Sequence, residues 1–489
     1  MGTKIKGNEG NTSNYKKRIV KSKKIEKQET YTVLIQENLL SDLEDLLFQQ
    51  HLENKLHKDY LVYFLSLFIS LPTTYRNNEE SDADFSEVSL CSQKLKKVIY
   101  NYTDYISFLE QLKFIEKIKN YSTDRKQCSK YRLADMYAVG EIVSYEISNK
   151  QLIQKISKIE LNEKTLYCIR NRPHLIIFFD DNLKIDSTQA FEIVKQYKET
   201  NPAKYSSGLH IITEFHYKKW KYTIKQETDF RLHSSFTRLN KELRKTITYK
   251  SEKLGAIDIR ASQPFFLAVI LKAILKKDRE LLKKIGATRV LSDEAIDYIF
   301  DLEFDKANVI DFVNIVLSED FYSSFQKCLV IKYDEYGKPF RMITNYQNKK
   351  TKEINYQQPK IKKVFDSERD YAKSIVMEVL FCSPNNHFEG VKAFKNAFPS
   401  VYEIMLFIKK NCIALDTLLT NVEAHCFLDV VALGFSKKFP HVPIWSIHDC
   451  LVTTQSHVEL LHQQVESMLL EVTTIKKKNN QPLTVIEYW

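Results

Sequence analysis

Two carboxylates set in apolar sequence constrain this chain more than its composition does. Asp258 lies in Gly255-Ala-Ile-Asp258-Ile-Arg-Ala-Ser262-Gln263-Pro264, and Asp449 lies in Ile444-Trp-Ser-Ile447-His448-Asp449-Cys-Leu-Val-Thr-Thr454. Each follows a short strand-like run and precedes a second element. An ionised carboxylate drawn into apolar surroundings is costly unless it finds a partner. A divalent cation is one such partner: magnesium takes oxygen ligands and keeps several waters, so two protein carboxylates and substrate phosphates suffice. Helix capping or an ion pair would also serve Asp258, and an ordinary turn would serve Asp449. Leu451 and Val452 beyond Asp449 predict a tight hairpin with His448 and Asp449 at its tip.

Between the two acids lies Arg369-x-x-x-Lys373-x-x-x-Met377-x-x-x-Phe381, in sequence that predicts a helix over 366–382, ended by Pro384. Residues four apart line one helical stripe. This stripe would span roughly 18 Å at about 1.5 Å per residue, a length that suits an extended nucleoside triphosphate. Arg binds phosphate bidentately, and Lys supplies a point charge and a proton. Ile375, Val376, Val379 and Leu380 give the same segment an apolar face, so an ordinary amphipathic helix fits as well.

The bulk numbers permit this chemistry without choosing it. The 489 residues allow two to four domains, and 43% hydrophobic residues suffice for a large core. Lys and Arg outnumber Asp and Glu by 73 to 62, a net +11 compatible with a polyanionic partner, or with plain lysine-rich composition. The eight cysteines are scattered without a C-x-x-C pair, which argues against a structural zinc site or a disulfide framework and for a reducing, cytoplasmic setting. No uninterrupted apolar run approaches the roughly 18 residues of a membrane span, and the basic N-terminus lacks the apolar core of a signal peptide.

Residues 1–28 read as a disordered basic tail. A mainly helical pattern follows to about residue 204, with Leu175-Ile-Ile-Phe-Phe179 expected as a buried strand and Asp82-Ala-Asp84 in a polar loop. From about 205 strands are expected at Leu209–Thr213 and Trp220–Ile224, then Arg231-Leu-His-Ser-Ser-Phe236-Thr-Arg238 through Arg244, where cations and hydroxyls suit phosphate oxygens. Pro264–Leu275 predicts a buried helix. A charged, partly helical insertion over 276–365 ends in Lys349, Lys350, Lys352, Lys360, Lys362 and Lys363. Helices over 390–438, a helix from His457 to about Leu470 and a strand Leu483–Trp489 complete the chain. His210, His216 and His233 could serve a His-Asp metal phosphohydrolase, although they form no organised cluster in the sequence.

The segments around Asp258, Arg369–Phe381 and Ile447-His448-Asp449, in that order, resemble motifs A, B and C of the family A polymerase superfamily, which includes polymerase I-like DNA polymerases and single-subunit phage-type RNA polymerases. Arg231-Leu-His-Ser-Ser resembles the upstream G-R-x-x-S element, with Phe230 in place of Gly. The resemblance covers about 205–489 and is that of a divergent member: Phe381-Cys382 replaces Tyr-Gly, and after the first Asp either Gln263 stands as the fifth residue on or Ser262-Gln263 is displaced by an insertion, which leaves the steric gate at the ribose unassigned. It implies an α+β fold: a right-hand polymerase with an antiparallel palm sheet, helical fingers and a mainly helical N-terminal, thumb-like region over 29–204. Palm would occupy 205–275 and 441–489, and fingers with the insertion 276–440.

What the resemblance implies for function is a template-directed nucleotidyltransferase, a DNA-directed DNA or RNA polymerase, in replication or transcription of a mobile or viral element. Asp258 and Asp449, with the main-chain carbonyl of Ile259, would hold two Mg²⁺ ions, Mn²⁺ being able to replace them. Asp258, Asp449, Lys373, Arg369 and His448 would be catalytic. Arg369, Lys373, Met377, Phe381 and Gln263 would bind nucleotide, and Arg231, Ser234, Arg238 and Arg244 nucleic acid. The expected partners are a DNA or RNA primer-template and nucleoside triphosphates, with no membrane, the protein acting as a monomer. A catalytically inactive nucleic-acid-binding module, and a template-independent or protein-primed nucleotidyltransferase, remain as alternatives.

Overall fold

The computed structural model describes residues 30–49, 56–74, 88–122, 128–138, 141–226, 228–344, 360–475 and 482–489. The expected basic tail, the Asp82-Ala-Asp84 loop and Lys349, Lys350 and Lys352 lie outside them. Among the described residues the fold mixes helices with antiparallel sheets, and the chain divides into two compact units. The first comprises 1–224, 232–254 and Trp489, and the second 225–231 and 255–488.

The first unit is less purely helical than its sequence predicts. Tyr31–Gln36 pairs antiparallel with Ile142–Ile147, and the helix Lys58–Thr74 packs on that ribbon through Leu61, Phe64 and Leu65, all at 0% exposure. Asp59 fixes the junction by accepting from the amides of Ser148 (2.9 Å) and Asn149 (2.7 Å).

Two predicted strands are corrected. Leu209–Thr213 lies inside the helix Pro202–His216. Pro202 opens that helix, Asn201 caps it by accepting from the Lys204 amide at 2.9 Å, and Leu209, Ile212 and Phe215 bury one face. Helical spacing and a good cap outweigh the weak β-preference of Ile211-Ile212. Leu175–Phe179 is buried as expected, but as a 3₁₀ turn over Pro173–Leu175 followed by irregular chain. A short apolar run specifies burial and leaves backbone type open.

Leu183–Ile185 pairs with Ile247–Tyr249, which turns through Lys250-Ser251 into the strand Glu252–Ile259. Both turn residues have positive φ (50° and 67°), the backbone of a primed two-residue turn. Neither is Asn or Gly, so the turn has no strong sequence signature.

The Asp258 strand enters the second unit at Gly255. There it pairs antiparallel with Thr484–Tyr488 and lies beside Cys450–Thr454, which forms a hairpin with Trp445–Ile447. Gly255 is required sterically: a Cβ would fall 2.5 Å from Val458 Cγ2. After the strand comes the helix Ser262–Lys276, buried along almost its whole length and packed on Lys306–Ser318 and Leu415–Ala424. Rings of Phe312, Phe321, Phe325, Phe394 and Phe398 form a continuous aromatic cluster. It seats the short helix Phe321–Phe325 against the cationic helix Glu368–Phe381.

Leu415–Lys438 forms one 24-residue helical stretch, long and apolar enough to cross a membrane by length and composition, with 67% of its most apolar window buried. Helix is expected here from the sequence, in which Glu423 and Asp429 interrupt the apolar run. Both acids have internal partners, Arg231 for Glu423 and Arg289 (2.9 Å) for Asp429. A buried core helix explains such a segment without a bilayer.

Candidate active site

Sheet pairing in the second unit carries Asp258 to Asp449. Asp258 faces Val485 in the ladder, and the neighbouring hairpin closes with Ile447 opposite Cys450. That pairing leaves a two-residue turn, His448-Asp449. His448 takes φ +52°, a left-handed conformation that His tolerates better than most side chains, and it is exposed. One ligand-capable atom from each of Asp258, Asp449 and Cys450 lies within 4.8 Å of the others.

The electrostatics of this trio are unfavourable for a bare pair of acids. Asp258 Oδ1 is buried with no hydrogen-bond partner. Burial pushes the Asp258 carboxyl up to about 7, the Asp449 charge adds to the rise, and the Cys450 thiol, Lys373 and the Ile259 backbone pull the other way. A site that keeps two carboxylates close and one oxygen unsatisfied fits a divalent cation: the donors are oxygen, oxygen and sulfur, and the missing partner is positive charge.

The cationic helix begins at Ser367, whose hydroxyl accepts from the Asp370 amide at 3.1 Å, and carries Glu368 and Asp370 in its first turn, where they complement the helix dipole. It ends at Phe381, three residues before Pro384. Tyr371, Ala372, Ile375, Val376, Val379 and Leu380 are buried. Arg369, Lys373 and Phe381 are exposed and Met377 half-buried, so the stripe read from the sequence is the outward face. Arg369 donates from Nε (2.7 Å) and Nη2 (3.1 Å) to Asp320 and lies 5.4 Å from the Tyr322 ring centre. The Lys373 charge acts on Asp258.

Tyr322 joins these groups and had no signal in the sequence. Buried on the short helix Phe321–Phe325, its hydroxyl is held well above the usual tyrosine range by burial. Arg369 opposes that rise, while Asp320, Asp449 and Asp258 reinforce it. It therefore lies within electrostatic reach of both acids and beside the Arg369 guanidinium.

Glu423 is the second residue the sequence reading missed. At 1% exposure it accepts from Arg231 Nε (2.7 Å) and Nη2, from the Ser262 hydroxyl and from Gln263 Nε2 (2.7 Å). Burial raises its carboxyl, Arg231 opposes that, and the Asp449 charge adds to it. A sequence signal did exist: Glu423 falls on the face that buries Leu415, Leu418, Leu419 and Val422.

The remaining predicted contacts are placed as follows. Gln263, expected near the sugar, is buried against Glu423, with its Oε1 unpartnered. Arg231, expected on nucleic acid, is bound to Glu423. In the first unit Ser234 is buried, Arg238 is paired with Glu214, and Arg244 lies 5.6 Å from the Trp489 ring centre. The sequence interleaves these cations with hydroxyls, but the fold gives each arginine an internal partner. Met377 and Phe381 stay with Arg369 and Lys373 on one helix face. His210 belongs to the Glu214 cluster at 3.1 Å.

No protein-family model matches the sequence, and no curated protein matches it either. Among solved structures, the POL domain of Pol1 from M. smegmatis, in complex with DNA primer-template and dNTP, aligns with 92% of this chain and 71% of its own length. The identity is 12% and the TM-score 0.22, a likeness too loose to decide fold or activity.

Proposed function

We propose that the second unit is a template-directed nucleotidyltransferase that adds nucleoside triphosphates to a 3′-hydroxyl on a DNA or RNA primer-template, arranged as palm and fingers. The observation that carries this reading is the approach of Asp258, on its strand, to Asp449, in the turn of the adjoining hairpin, with the Lys373 charge acting on Asp258. Asp258 and Asp449, with the Ile259 main chain beside them, are the residues that would hold two Mg²⁺ or Mn²⁺ ions. Such ions, when bound, supply an activated hydroxyl and charge neutralisation at the leaving pyrophosphate.

The protein's own groups do the rest. Lys373, exposed on the cationic helix, meets the triphosphate and gives a proton to the leaving group. Arg369 exchanges Asp320 for phosphate oxygens, which its planar fork grips in pairs. Met377 and Phe381, one and two turns further on, offer apolar surface to sugar and base. His448, held outward by the strained turn, contacts the primer end. Glu423 fixes Arg231, Ser262 and Gln263 as one buried unit behind the Asp258 strand. The proposal extends to replication or transcription of a viral or mobile element in a cytoplasmic setting.

Primer extension on DNA and RNA templates, with dNTPs and with NTPs in parallel, tests the reading. Mg²⁺-dependent, template-dependent chain growth that Asp449→Asn abolishes is the expected result. Growth that is unchanged in Asp449→Asn, or absent from wild type under every combination, overturns it.

A further inference from the structure

Cys450 stands where a third metal ligand would stand. It opens the strand Cys450–Thr454, opposite Ile447 in the hairpin, and that strand lies beside Glu252–Ile259. Its side chain is buried, hydrogen-bonds to Asp258, and comes within 4.8 Å of ligand atoms of both Asp258 and Asp449. Independently, Asp258 Oδ1 is a buried oxygen with no partner. Among the described residues this is the group of His, Cys, Asp and Glu side chains whose ligand atoms converge closely enough for an ion.

The donor types matter. Magnesium is hard, is satisfied by carboxylates and water, and gains little from sulfur. Zinc and cadmium bind thiolate strongly and take carboxylate oxygen alongside it. The same three side chains therefore present a two-oxygen site to a hard ion and a three-ligand, oxygen-oxygen-sulfur site to a thiophilic one.

We propose that Asp258, Asp449 and Cys450 form a thiophilic cation site, in which Zn²⁺ or Cd²⁺ is held by two carboxylates and a thiolate and excludes Mg²⁺. On ligation the Cys450 S–H proton passes to solvent and the sulfur lone pair forms the metal bond, with no change of oxidation state. The inference rests on Asp258 and Asp449 being the cation-binding pair of the proposed function, and it makes that activity subject to inhibition by zinc-class ions.

The test uses the full chain, freed of metal and reduced, and titrated with Cd²⁺ while the near-ultraviolet cadmium–thiolate absorption is followed. The expected result is a saturable band that Cys450→Ser and Cys450→Ala both remove, and that excess Mg²⁺ displaces. Asp449→Asn, which keeps all eight cysteines, is expected to need at least tenfold more Cd²⁺. A band of equal size and midpoint in the Cys450 variants, or one indifferent to Asp449→Asn, assigns the cadmium to another thiol such as exposed Cys328 and overturns the proposal. Circular dichroism confirms that each variant is folded. If one Cys450 variant fails to fold, the other and Asp449→Asn decide. The two readings fail separately: the band without primer extension removes the polymerase and keeps the site, and extension without the band does the reverse.

Discussion

Arg231 and Glu423, 192 positions apart in sequence, meet through two hydrogen bonds from one guanidinium to a single carboxylate oxygen, Oε1. The other oxygen of Glu423 takes Ser262 and Gln263, so one buried carboxylate ties the start of the helix behind Asp258 to the long helix Leu415–Lys438. Removing one partner of a buried pair leaves the other charged and unsatisfied, which costs about 3–5 kcal/mol. Glu423→Ala is expected to lose that much in urea unfolding followed by circular dichroism. Glu423→Gln, which keeps shape and hydrogen-bonding capacity, is expected to lose less. Equal and small losses in both would mean that Arg231 finds other partners.

Asp449→Asn keeps the turn and removes a charge. If the acid pair holds the activating cation, extension is expected to fall about a thousandfold, the scale of several kcal/mol of charge stabilisation, while the melting temperature holds or rises. Steady-state incorporation and a thermal melt on the same preparation check both halves.

Asp258 sets a pH dependence. Burial and the Asp449 charge raise its carboxyl to about 7, above its ordinary value of 3.8. The folded protein therefore holds this proton more tightly than the unfolded chain does. The resulting stability is complete below the unfolded pKa and is lost as pH rises through about 7. Cation binding runs the opposite way, since it needs the ionised form. The Mg²⁺ concentration for half-maximal activity is expected to fall as pH rises through that value, and in the absence of Mg²⁺ the Asp258→Asn variant is expected to lose this part of the stability profile.

Lys373→Ala tests the cationic helix. The side chain is exposed and its neighbours Ala372, Ile375 and Val376 carry the packing, so folding is expected to be unchanged. Loss of a positioned proton donor typically costs about 10²–10⁴-fold in rate. A fall in kcat of that size, with template affinity by fluorescence anisotropy within about twofold of wild type, is the expected split. Parallel losses of rate and affinity would move Lys373 to nucleic-acid binding.

Glu214 contributes a pH dependence to the first unit. Burial pushes its carboxyl up, but Lys221 at 2.7 Å, Arg238 and His210 outweigh that and hold it well below the ordinary glutamate range. The unfolded chain thus binds this proton more readily, and the stabilisation is complete above about pH 4.3 and lost as pH falls below it. Glu214→Gln is expected to cost about 3–5 kcal/mol at neutral pH and to flatten the acid limb of the urea midpoint. An unaltered acid limb would place that dependence on other carboxylates.

The sequence by itself determined the local pieces whose physics is local. The apolar run up to Asp258 became a strand, and the one around Asp449 became a hairpin with Asp449 in its turn. A stripe of Arg369, Lys373, Met377 and Phe381 opposite Ile375, Val376 and Val379 had to become the outward face of a helix, and Pro384 had to stand beyond its end. Only the tertiary structure decided which distant groups meet. Tyr322 and Cys450 are ordinary residues in sequence and Glu423 shows only its place on an apolar helix face, and they acquire chemistry because sheet pairing and helix packing bring them to Arg369, Asp258 and Arg231. The same distinction separates expectation from outcome elsewhere. Leu209–Thr213 carries strand-like residues, yet the Asn201 cap and the buried face around Phe215 made it helix. The arginines at 231, 238 and 244 read in sequence as cations suited to phosphate, and the fold sets them beside Glu423, Glu214 and the Trp489 ring. Periodicity and capping act over a few residues and can be read along the chain, whereas charge pairing in a core depends on positions hundreds of residues apart and is fixed only when the core closes.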